Sequence, residues 1–157
     1  MSLAPPALRR VVLDGEALTR LNPLLEADRA QAVADLETGN DFAPAGVAIP
    51  FLLRLSVQEG RLVFDIRDEA NAPLRAIALA LGPFRGLIKD YQLLVDSHIT
   101  ALEEGREARM EAIDMGRRGL HDEGAALLTE RLQGKAAMGH DTARRLFTLI
   151  CVLHQRI

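Results

Sequence analysis

A chain of 157 residues has room for one hydrophobic core and little more, and its 48% hydrophobic and 26% charged content is that of a folded protein, not a disordered one. The net charge of -3 at pH 7 supplies no overall attraction to nucleic acid or anionic lipid, so either partner would need a local basic patch. The one cysteine, Cys151, excludes an intramolecular disulfide and sits in the run Leu149-Ile150-Cys151-Val152-Leu153, where a thiol packs as a small hydrophobe; a reducing cytoplasm is the expected location.

Two prolines and two arginines interrupt MSLAPPALRRVV, which lacks the apolar core of an export signal. Residues 1–7 are expected to be a loose arm of a single domain spanning 1–157. Arg9 to Leu13 alternates as a short strand ending at Asp14-Gly15. Asn22-Pro23 then supplies a cap and a first-turn proline for a helix whose apolar positions, Leu24 to Leu36, recur at helical spacing up to Gly39. Asn40 to Pro50, with Pro44, Gly46 and Pro50, reads as a connection, mobile or ordered by a partner.

A hairpin follows. Phe51, Leu53, Leu55 and Val57 alternate with polar residues, Glu59-Gly60 makes the turn, and Leu62, Phe64 and Ile66 alternate on the return. Asp68 to Pro73 turns again into a third strand from Leu74 to Leu81. Gly82-Pro83 opens the helical half, and Phe84, Leu87, Ile88, Tyr91, Leu94, Val95, His98 and Leu102 form one amphipathic stripe ending near Gly105. Arg106 to Gln133 continues the pattern, with Gly116 and Gly124 on its apolar side. Those glycines permit close packing or else break the segment, and a helix kinked or broken near Gly116 to Gly119 is expected.

Gly134 stops that helix, Lys135 to Gly139 links, and Asp141 is placed to cap a last helix apolar on more than one side. No transmembrane span is possible, since the uncharged stretch Leu146 to Leu153 falls far short of roughly 20 residues. Strands followed by helices give an α+β fold: a small antiparallel sheet of three or four strands, one helix before the hairpins, and a C-terminal bundle of three or four helices.

The polar residues gather in one place. Glu111, Asp114, Arg117, Arg118, His121, Asp122 and Glu123 fall within little more than three helical turns, and Asp114, Arg118 and Asp122 lie on one line at successive i,i+4 spacings. The plainest reading is a solvated face of weak ion pairs. The sharper one has Arg117 and Arg118 holding an anion while His121 and Glu123 handle protons or orient the ligand, with Arg144 and Arg145 joining if the two helices meet. The binding set is thus Asp114, Arg117, Arg118, His121, Glu123, Arg144 and Arg145.

His121-Asp122-Glu123 echoes the His-x-Glu of zinc deaminases, but the Cys-x-x-Cys partner is missing. With His98, His121, His140 and His154 scattered, no metal site is expected. His98 reads as a core or interface histidine, His140 as part of a cap and His154 as a helix-end cation. There is no Walker loop, nucleophile elbow or dinucleotide fingerprint, so no cofactor is expected, and the few aromatics read as core.

The strings AIDMGRRGLHDEG, ERLQGK and DTARRLFTLICVLH, with RLVFDIR and GPFRGLIKDY, resemble the uncharacterised protein family 0262, short proteins found mainly in alphaproteobacteria. That resemblance covers the chain from the first strand to the end and implies no activity, ligand or catalytic residue. Its members commonly read His-Asn-Glu-Gly at His121-Asp122-Glu123-Gly124 and tryptophan at Gln155, two departures in this chain. The function expected is a cytoplasmic binding or adaptor module, self-associating, that recognises an anionic group or acidic partner through its Arg/His cluster. The alternative is a small enzyme for a phosphorylated or carboxylated metabolite using general acid/base chemistry. A third reading makes the polar set intramolecular ion pairs that fix the helix packing.

Overall fold

The computed structural model describes residues 5–14 and 23–154. The expectations for Gly15, the Asn22 cap, Gln155 and the first four residues of the arm lie outside them. Strand β1 (Leu8–Asp14) leads to helix α1 (Pro23–Thr38) and a two-residue strand β2 (Ala43–Pro44). Strands β3 (Phe51–Gln58), β4 (Arg61–Arg67) and β5 (Pro73–Ala80) follow. A single helical turn (Gly82–Phe84) opens α2 (Arg85–Glu103), followed by α3 (Glu107–Arg131), β6 (Ala136–Ala137) and α4 (His140–Leu153).

The sheet runs β1-β3-β4-β5. Its three hairpin-connected strands are antiparallel, as the alternation required, but β1 joins β3 in parallel, so the sheet is mixed. The reason is the connection: α1 carries the chain back along the sheet, and the next strand then runs the same way as the last. The alternation sets the register, aligning Leu13, Leu55, Phe64 and Ile77 in one row across all four strands. Leu55 and Phe64 are fully buried, each contributing about 1.5–3 kcal/mol by leaving water. Between β3 and β4, Glu59 and Gly60 take φ of 52° and 73°, the left-handed pair of a type I′ turn whose twist suits the two strands.

One face of the sheet carries the helices. Helix α4 contacts α1, α2, α3, β1 and β3, and its Leu146 to Leu153 run is buried throughout, as an apolar surface wider than one stripe requires. Helix α1 shields the outer edge of β1, where Glu37 Oε2 accepts from Val11 N at 3.0 Å and Asn40 Nδ2 donates to Leu8 O at 3.0 Å. Those two side chains occupy part of the polar edge of β1, which hinders pairing with another chain there. Leu102, read into the α2 stripe, is 60% exposed, and Ala101 takes the buried position instead.

Four expectations change. Helix α3 is continuous through Gly116 and Gly119, and packing against α4 explains Gly124. A Cβ on Gly124 would come closer than 3.0 Å to the ring of Phe147 on α4, so a side chain there would push the two helices apart. The connection from Asn40 to Pro50 is pinned within the chain: β2 pairs antiparallel with β6, and Phe42 is buried at 1% exposure. Asp141 does not cap α4. Gly139 is the cap residue, without a side-chain cap of its own, and the distant Asp41 accepts from Gly139 N at 2.8 Å. Lastly, the His140 side chain meets Asp122 at 3.0 Å and does not cap α4; His154 is the C-cap residue of that helix, and its carbonyl accepts from Gln92 at 2.7 Å.

Candidate functional site

Helical spacing puts Arg117, His121 and Gly124 on one face of α3, turned toward α2 and α4. Because Gly124 lets α4 come close, the rings around His121 can close on it. The His121 imidazole lies 5.7 Å from the ring of Tyr91 in a near-parallel stack and 6.1 Å from Phe147 edge-on. Tyr91 is fully buried, and its hydroxyl donates to Asp28 Oδ2 at 2.5 Å. Arg117 donates from Nη2 to the same oxygen and holds its guanidinium 5.8 Å from the Tyr91 ring centre. Three helices thus share one carboxylate. Asp28 neutralises Arg117 and engages the Tyr91 hydroxyl, the partnering that buried polar groups require.

This network sets the protonation of its members. Burial, then the positive charges of Arg117 and Arg144, hold the His121 pKa down to about 4 against the opposing pull of Asp28 and Asp122. His121 is therefore a neutral imidazole near pH 7, and its Nε2 is buried without a hydrogen-bond partner. Burial and the Asp28 charge push the Tyr91 hydroxyl and the Cys151 thiol up, so both keep their protons. Cys151 is fully buried and free of disulfide, without the polar, exposed setting that makes a thiolate reactive.

In front of His121 a recess of about 190 Å³ opens between α3 and the first turns of α4, lined by His121, Asp141, Arg144, Arg145 and Thr148. Arg144 reaches Asp122 through Nε at 3.5 Å and Arg145 reaches Asp35 through Nε at 3.6 Å. Those contacts are long and run through Nε; the Nη nitrogens of both donate no hydrogen bond to the described residues. Thr148 Oγ1 donates to Arg144 O at 3.1 Å. Asp122 also accepts from His140, the main cause of its lowered pKa, outweighing slight desolvation.

Of the residues singled out in the sequence, His121, Arg144 and Arg145 meet in this recess. Arg117 stands behind it, in the Asp28 network. Arg118, one position on, is exposed and makes no ion pair or hydrogen bond among the described residues, so the two arginines do not form a pair. Asp114 is half exposed, 3.7 Å from Arg117 and 3.8 Å from His98, on the side of Arg117 away from the recess. Glu123 is exposed on a different surface, a groove of about 450 Å³ between α2 and α3 floored by Gly116 and Gly119. Among the described residues no group of three or more His, Cys, Asp or Glu side chains is placed to hold a metal ion.

Sequence reasoning missed Asp28 and took Tyr91 for core alone. A signal existed: Asp28 falls between Leu25 and Ala32 on the buried side of α1, a position where a carboxylate needs a partner inside the protein.

The model of the uncharacterised protein family UPF0262 matches residues 6–156. The chain belongs to that family. A UPF0262 protein of Granulibacter bethesdensis is 60% identical over 163 residues, covering 98% of this chain and 93% of that protein. One from Acidiphilium cryptum is 61% identical over 153 residues (95% and 93%), and one from Rhodospirillum rubrum 52% over 146 residues (93% and 91%). These UPF0262 relatives are mostly alphaproteobacterial. No solved structure matches the chain. Among its described residues no helix is long and apolar enough to cross a membrane.

Proposed function

We propose that this UPF0262 protein is a binding module whose α3–α4 recess takes a small anionic group, free or carried by a larger partner. What carries the reading is the pair Arg144 and Arg145, neighbours in α4 whose guanidinium Nη groups are uncommitted beside a cavity of about 190 Å³. Charge-assisted hydrogen bonds from two guanidiniums are strong and directional. The volume suits a single phosphoryl or carboxyl group, below the roughly 300–1,000 Å³ of sites for whole drug-sized ligands. Behind it, the Tyr91–Asp28–Arg117 network holds His121 in place, so the wall is organised before any ligand arrives.

The enzymatic alternative has less support. Glu123 and Asp114 lie on other surfaces, and a histidine with a pKa of about 4 is a weak base at neutral pH. The test is thermal unfolding against inorganic phosphate, sulfate, citrate and chloride at matched ionic strength, for the wild type and for Arg144→Ala and Arg145→Ala. A ligand of the folded state at a hundredfold excess over its dissociation constant stabilises by about 2.7 kcal/mol. An anion that raises the wild-type midpoint and fails to raise those of the folded variants supports the reading; no anion-specific shift in the wild type refutes it.

A further inference from the structure

The hydrogen-bonding inventory of the recess says more than its charge. Arg144 and Arg145 can only donate. Asp141, exposed at the rim, can only accept, and no described residue donates to it. The hydroxyl proton of Thr148 is committed to the Arg144 carbonyl, which leaves the Thr148 oxygen as an acceptor toward the recess. His121, a neutral imidazole, offers one donor and one acceptor. Along α4 the two guanidiniums therefore lie between a carboxylate one turn before them and a hydroxyl oxygen one turn after.

A fully deprotonated oxyanion answers only half of this arrangement. Sulfate would satisfy the guanidiniums, but its remaining oxygens would face Asp141 and Thr148, setting acceptor against acceptor and negative charge against negative charge. A phosphoryl group that keeps a P–O–H supplies what is missing. Its ionised oxygens take the arginine hydrogen bonds, and its hydroxyl donates to Asp141 or Thr148. A ligand with only negative oxygens would set acceptors against Asp141 and the Thr148 oxygen, the kind of mismatch by which polar sites discriminate.

Resting on the anion-binding reading above, we propose that the recess is selective for a phosphoryl group bearing an O–H and rejects sulfate, with Asp141 as the discriminating residue. Sites that fully bury a required hydroxyl partner discriminate by about 10⁴–10⁵. Asp141 is exposed, and the expected preference is smaller, about tenfold to a hundredfold.

Calorimetric titration of the full chain with inorganic phosphate and with sulfate, at matched ionic strength near neutral pH, reads this preference directly. The expected result is tighter phosphate binding in the wild type and a collapsed ratio in Asp141→Asn, because the amide can donate to sulfate. Thr148→Val, which removes the second acceptor while keeping the side-chain shape, is expected to weaken phosphate more than sulfate. A simple alkyl phosphomonoester titrated alongside phosphate at about pH 5, below its second pKa of about 6 so that it keeps one P–O–H, separates the two sources of this chemistry. Binding as tight as that of phosphate indicates the phosphoryl end of a larger molecule, and exclusion indicates the free ion. Sulfate binding as tightly as phosphate, or an unchanged ratio in Asp141→Asn, overturns the selectivity and leaves the anion site standing. Binding of neither anion overturns both.

Discussion

Replacing Gly124 by alanine tests whether α3 and α4 meet as closely as the site requires. The new Cβ would lie closer than 3.0 Å to three ring atoms of Phe147, where carbon atoms prefer about 3.5–4.0 Å. Phe147 is fully buried and cannot swing into solvent, so either its ring or the α3 backbone must retreat. Overpacking of this kind costs about 1–3 kcal/mol and occasionally more, while alanine returns about 1 kcal/mol of helix propensity. A net loss of about 1 kcal/mol is expected, or roughly 2–4 °C in midpoint for a chain of this size. Gly119 is the internal control: it is exposed on the same helix with nothing within 4 Å of a Cβ, so Gly119→Ala should gain up to about 1 kcal/mol. Urea unfolding of both variants gives the comparison. A Gly124→Ala protein as stable as the wild type would refute the close approach, and a destabilised Gly119→Ala would mean that α3 needs flexibility there after all.

Asp28→Asn leaves Arg117 only the half-exposed Asp114 at 3.7 Å as counter-charge, where the Asp28 and Arg117 side chains are only 19% and 15% exposed; a loss near the low end of the 3–5 kcal/mol range for a broken buried pair, about 3 kcal/mol, is expected in urea unfolding. The lowered pKa of His121 has a definite sign. The unfolded chain takes up a proton below its ordinary value of 6.5 while the folded one waits until about 4, so stability should fall as pH drops through that window and level off below it. The total is about 3 kcal/mol, a contribution that His121→Gln should remove from a plot of urea midpoint against pH. Asp41→Ala withdraws the acceptor from the N–H of Gly139, the N-cap residue of α4, and should cost about 1 kcal/mol, as loss of a single hydrogen bond does. Although partial burial raises the Asp41 pKa, the hydrogen bonds from Thr142 and Gly139 together hold it below its usual value. Its contribution is therefore present above that value and lost as pH falls through the folded pKa, which acid titration of the wild type against the variant should show.

The strands and helices were legible because period-two and period-3.6 patterns are local, and the buried rows of β3, β4 and α4 follow them directly. The parallel placement of β1 was not, since it depends on the path of α1 and not on any residue within the strand. Gly116 and Gly119 read as breakers because their low helix propensity is visible in sequence, whereas the packing that keeps α3 one continuous helix is tertiary. For the site, the Arg117-His121 turn pointed to the right helix, but adjacent residues on a helix point about a third of a turn apart, which separates Arg117 from Arg118. The partners that organise His121, Asp28 on α1 and Tyr91 on α2, come from helices distant in sequence. Asp41 and α4 illustrate the same point: the acceptor for the N–H of the N-cap residue Gly139 comes from 98 residues away.

The anion-binding claim is tested most directly by following the side-chain resonances of His121, Arg144 and Arg145 in isotope-labelled protein during a titration with inorganic phosphate at constant ionic strength. The account predicts saturable shifts of all three with a single dissociation constant, while residues of the α2–α3 groove such as Leu93 and Glu123 stay still. Unmoved resonances at the recess, or shifts confined to that groove, would contradict it.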